Sequence, residues 1–217
     1  MHIFVKNKFP ALMIFVVAII FMNGKTLAEQ HNRLTLPVIS TKLASLQYFY
    51  NSFHNGVTEL FLPDNYKKYA RAFNAREVTI PVKGQNFISP FVSYDDNYYE
   101  LGRFYYKDYM YKMIAYNKIG ECDTLLLNIQ LNAYDSNNTL TDALLLSSFF
   151  AYEDAERYAH FAIYLNYTIN IDNYIVYRYK EDDKGDSVIP IKNPKPQLFL
   201  KEKYKIEKGR FLLIPSR

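Results

Sequence analysis

The chain has 217 residues, of which 49% are hydrophobic and 22% charged, with a net charge of +4 and a single cysteine, Cys122. That length supports one self-sufficient core, and one cysteine excludes an intramolecular disulfide. Lys6, Lys8 and Lys25 supply three of the positive charges with no acid nearby, so the rest of the chain carries only +1. That excludes the basic footprint of a nucleic-acid binder.

In chain order, the first element is a targeting segment. Lys6 and Lys8 precede a 14-residue apolar run, FPALMIFVVAIIFM, which Asn23-Gly24 breaks before the small residues Thr26-Leu27-Ala28. This is the three-part pattern of a secretory signal peptide over residues 1–28. The run is shorter than the roughly 20 apolar residues that a bilayer span requires, so an uncleaved anchor is the weaker alternative. The mature chain is expected to begin near Glu29 and to be periplasmic or secreted. An exported chain with one cysteine suits a bacterial envelope better than a eukaryotic secretory route. Codon bias toward A and T accounts for the 21 tyrosines and 16 phenylalanines without requiring an aromatic binding face.

Residues 29–76 read as a helical N-terminal segment. Ser40 is placed to cap a helix carrying Leu43, Leu46, Tyr50 and Phe53, which Gly56 stops. Asp64 is placed to cap a second one, with Tyr66, Tyr69, Ala70 and Phe73 on one face. From residue 77 to 217 the period changes to two, which predicts an antiparallel β domain. Val78, Ile80 and Val82 suggest an edge strand because Pro81 interrupts them. Tyrosine-dense strands follow over residues 98–117. Residues 124–134 alternate most cleanly, with Leu125, Leu127, Ile129, Leu131 and Ala133 on the core side and Asn128, Gln130, Asn132 and Tyr134 toward solvent or a partner. Further strands are expected at 139–150, 160–165, 167–180, 187–191, 198–206 and 211–214, the last two joined by a turn at Glu207-Lys208-Gly209. Short connections imply antiparallel neighbours. The fold class is therefore mainly β (α+β): an antiparallel meander forming a curved sheet, open barrel or sandwich, with two short N-terminal helices packed on it.

The stretch YDSNNTLTD, residues 134–142, resembles a calcium loop in placing oxygens on Asp135, Asn137, Thr139 and Thr141. Such a loop needs glycine at its sixth position and glutamate at its twelfth, where this chain has Leu140 and Leu146. Asp and Asn tolerate the positive φ of tight turns, so the stretch predicts a hairpin. His31, His54 and His160 have no metal-ligand spacing, and neither a metal nor a cofactor is expected. No GxSxG, SxxK, HExxH or P-loop motif occurs. Glu153, Asp154 and Glu156, like Asp95 and Asp96, read as solvated charges in connections.

The candidate binding residues are Tyr158, His160 and Tyr164, expected on one strand face, and Asn128 and Gln130 on the polar face of residues 124–134. These features point to a non-enzymatic interaction protein of a bacterial envelope, one version being an immunity or inhibitor protein. The alternatives are a secreted hydrolase with a dispersed site and a glycan-binding module. The expected partner is another protein or an envelope component, with membrane contact only through the signal segment.

Overall fold

Alternation with a period of two builds most of this molecule. The computed structural model describes residues 33–57, 59–62, 69–87, 89–120, 123–152, 155–181 and 188–215. The expected signal segment, His31, Asp64, Tyr66, Cys122, Glu153 and Asp154 lie outside these residues. The elements are, in order, β1 (Val38–Ile39), α1 (Ala44–His54), β2 (Arg71–Ala72), β3 (Val82–Lys83), β4 (Asn97–Tyr106), β5 (Tyr109–Ile119), β6 (Leu125–Tyr134), β7 (Leu140–Tyr152), β8 (Ala155–Ile163), β9 (Thr168–Tyr177), β10 (Tyr179–Glu181), β11 (Val188–Pro190), β12 (Gln197–Glu207) and β13 (Arg210–Leu213). One curled antiparallel sheet runs β13-β12-β9-β8-β7-β6-β5-β4-β2, while β3 joins β7 in parallel and β1 joins β8. β10 and β11 form a ribbon of their own.

The turns follow local chemistry. Asp135 accepts the amides of Asn137 and Thr139 on one carboxylate oxygen, both at 2.9 Å, and Asn138 adopts φ +57°. Residues 135–138 thus link β6 to β7 as a hairpin, with the Asp135 carboxylate engaged by backbone. Lys208 and Gly209 take φ +48° and +70° between β12 and β13. A Cβ on Gly209 would collide with the ring of Tyr109, so glycine is required there for both space and backbone.

The sheet curls because β7 forks. It pairs with β6 from Leu140 to Phe149, but with β8 only through Phe150–Tyr152. Beyond the fork, β8 lacks that neighbour, and buried backbone groups must find other partners. Ser147 Oγ accepts the amide of Ala159 at 3.0 Å, and Ser40 Oγ accepts that of Phe161 at 3.0 Å. The Tyr50 hydroxyl donates to the carbonyl of Ala159 at 2.5 Å. β1 then takes over at Ala162 and Ile163. α1 presents Leu46, Phe49, Tyr50 and Phe53 to the main core, with Phe53 edge-on to both Phe149 and Tyr158.

At its far edge the sheet returns toward β7, making a half-barrel. Buried Asp142 accepts the Phe211 amide at 2.7 Å and the Lys83 ammonium at 2.6 Å, while Lys83 also donates to the Phe211 carbonyl. Thr141 Oγ1 donates to the carbonyl of Gly209.

Three expectations need correction. Only one helix is present among the described residues: Arg71–Ala72 pair with β4 as a strand, where the second helix was expected to continue. Ser40 begins a short 3-10 turn rather than capping α1, since its hydroxyl is engaged by β8. Residues 77–79 form another 3-10 turn instead of an edge strand. Its cause is local: Asn74 Oδ1 accepts the amides of Arg76 and Glu77, and Glu77 Oε2 accepts that of Asn74. This reciprocal arrangement is a capping box.

Candidate functional site

The expected core side of β6 is buried: Leu127, Ile129, Leu131 and Ala133 all have 0% exposure. Its polar side is buried too, which corrects the placement of Asn128 (5% exposed) and Gln130 (1%) toward solvent. The segment around Phe73, Val78, Val82 and Val92 covers that face, packing on Tyr98, Ile114, Tyr116, Ala143 and Leu145. Under it runs a ladder of hydrogen bonds. The Tyr116 hydroxyl donates to Gln130 at 2.8 Å, Gln130 to Asn132 at 2.6 Å, Asn132 to the Tyr134 hydroxyl at 3.1 Å, and Tyr134 to Glu77 at 2.6 Å. Side chains on alternate residues of one strand are neighbours on one face, so each polar group satisfies the next. The ladder serves the fold.

The second candidate group is partly brought together. Tyr158 and His160 share a face of β8, with ring centroids 5.3 Å apart. Tyr174 of β9 stacks on Tyr158 at 5.3 Å, and α1 adds His54 and Tyr50, whose rings lie 5.1 Å from Tyr158 and 5.2 Å from His160. Tyr164 does not join them: β8 ends at Ile163, and Tyr164 opens the turn to β9. Burial pushes the His160 pKa below its ordinary value, and the nearby His54 adds to that while Asp172 opposes it. That shift favours the neutral imidazole. Burial likewise raises Tyr158 to about 12, with Tyr174 and Glu156 contributing. A cavity of about 340 Å³ lies beside this cluster, lined by Thr41, Gln47, Tyr50, Asn51, His54 and His160. Among the described residues, no group of three or more His, Cys, Asp or Glu is arranged to hold a metal ion. The cluster offers stacking faces and a neutral imidazole.

Several acidic side chains have structural partners. Glu156 pairs with Arg178, Glu100 with Arg103, and Asp142 with Lys83. Asp96 accepts the amide of Ser93 in a local turn.

Sequence reasoning missed a third group, at the fork of β7 and β8. A cavity of about 190 Å³ is lined there by residues including Phe87, Ser147, Ser148, Arg157, Asn173 and Phe199. The guanidinium of Arg157 lies over the rings of Phe87 and Phe199, 5.7 and 5.1 Å from their centroids. Arg157 has the strand parity of Ala159, Phe161 and Ile163, which belong to the core. A charge at core parity was the available signal.

Close by, the ribbon of β10 and β11 continues the ends of β9 and β12. Tyr177, Tyr179, Val188, Ile189, Leu198 and Phe199 are all exposed there, Val188 by 66%. These observations define a mainly β half-barrel with one packed helix and an exposed apolar ribbon. No protein-family model, curated protein or solved structure matches the chain.

Proposed function

We propose that the chain is an exported, non-enzymatic interaction protein of a bacterial envelope, of the kind that covers a partner protein as an immunity or inhibitor protein does. The observation that carries this reading is the exposed apolar surface of the ribbon and the adjoining ends of β9 and β12. Grouped apolar side chains left in water mark a surface that another molecule covers, and tyrosine is favoured where such contacts form. The signal-like N-terminus supports export. The engagement of Glu77, Glu100, Asp142 and Glu156 in structural bonds supports binding over acid–base chemistry.

The test is site-specific photo-crosslinking in the native envelope. A crosslinker at Ile189 is expected to give one discrete protein adduct, and the same group at Tyr48, exposed on α1, none. Adducts at Tyr48 with none at Ile189 would reject the ribbon as the contact surface.

A further inference from the structure

We propose that the cavity at the β7–β8 fork is a carboxylate-binding site, with Arg157 as its anchor. This goes beyond the proposed function and does not depend on it. Arg157 carries five N–H donors in a planar fork suited to a carboxylate. Among the described residues its side chain has no ion pair and no hydrogen-bond acceptor; its guanidinium lies over the faces of Phe87 and Phe199. Stacking of this kind fixes the guanidinium plane while leaving its edge free to donate. The adjacent acid, Glu156, points its carboxylate at Arg178 instead.

Ser148 is a second, independent observation. The residue lines the same cavity, and its hydroxyl is buried with no hydrogen-bond partner among the described residues. A buried hydroxyl without a partner is costly and calls for a ligand or water. Arg157 and Ser148 together supply what a carboxylate accepts: a charged fork and a neutral donor. Phe87, Phe150 and Phe199 give the cavity apolar walls for the carbon body. At about 190 Å³ the space is smaller than typical pockets of roughly 300–1,000 Å³. It therefore suits a small organic acid, or the terminal carboxylate of a peptide with the rest of the chain outside.

Isothermal titration of the full exported chain tests this with benzoate and benzamide in one arm, and in the other with a short peptide ending in phenylalanine, as free acid and as C-terminal amide. Saturable binding of benzoate but not benzamide would assign a free small acid. Binding of the acid peptide alone, again without its amide, would assign a chain terminus. Arg157→Gln, with circular dichroism confirming its fold, is expected to weaken the bound acid at least about tenfold because the charged fork is lost. Ser148→Ala is expected to weaken it by a smaller factor. The proposal is overturned if neither acid saturates, if amides bind as well as acids, or if folded Arg157→Gln binds like the unaltered protein. The comparison of acid with amide needs no variant, so a misfolded mutant cannot rescue the idea.

Discussion

At Tyr134 a single hydroxyl holds two neighbours, accepting from Asn132 and donating to Glu77. Tyr134→Phe keeps the ring but leaves both neighbours short of a partner, at an expected cost of about 1–3 kcal/mol in denaturant unfolding. A cost near zero would mean that water enters the ladder. The opposite face gives a second residue-scale expectation. Leu127→Ala should cost about 2–5 kcal/mol through lost burial and a residual cavity. Gln130→Ala, which a solvent-facing residue would tolerate within about 0.5 kcal/mol, should be clearly destabilising, since Tyr116 and Asn132 both lose a partner. The tyrosines also set an alkaline limit. Burial raises Tyr98 and Tyr158 from 10.0 to about 12, with Glu77 assisting at Tyr98 and Tyr174 at Tyr158. Between those values the unfolded chain has released protons that the folded chain retains, so stability is full below pH 10 and falls as pH rises toward 12. Denaturant midpoints across that window should decline as tyrosinate absorbance grows; a midpoint constant to pH 12 would contradict the burial of these phenols.

Among the elements, β13 is held to β7 by side chains, chiefly through Asp142. Asp142→Ala removes the acceptor of the Phe211 amide and of the Lys83 ammonium, bonds to a charged group worth about 1.5–3 kcal/mol each. Native-state hydrogen exchange should show β13 amides exchanging well before those of β5 and β6, whereas uniform loss across the sheet would show that Asp142 supports the whole fold instead. The elements also differ in how far the sequence revealed them. Strands β6 and β9 were legible through apolar alternation, and β7, β12 and β13 through the turn residues that separate them from their neighbours. Residues 71–83 were not: they form two-residue strands and a 3-10 turn, too short to show a period. The Asn74–Glu77 box was readable, but it caps a single turn. The polar side of β6 misled for a physical reason. Alternation reports that two faces differ, not whether the polar one meets water or a cover. Of the candidate site, Tyr158 and His160 were found through strand parity, while Tyr164 lay one residue past the strand end. Phe87 and Phe199 come from segments distant in sequence, which no local pattern joins to Arg157.

For the whole molecule, the β6 ladder belongs to folding and the apolar ribbon is the proposed binding surface. The two surfaces respond to different substitutions, and this separates the functional reading from a general loss of structure. Once crosslinking identifies the partner, its affinity is measured for Tyr134→Phe and for the double variant Val188→Glu/Ile189→Lys, beside the unfolding midpoint of each. Tyr134→Phe should unfold more easily yet bind within a factor of about two, since the ladder is covered by Phe73, Val78, Val82 and Val92. The ribbon variant should keep its midpoint, because exposed substitutions rarely shift stability by more than about 0.5 kcal/mol, and should lose at least about tenfold in affinity, or roughly 1.4 kcal/mol. Full affinity in the ribbon variant, with binding lost in Tyr134→Phe at temperatures where it remains folded, would place the partner on the β6 face and contradict the account.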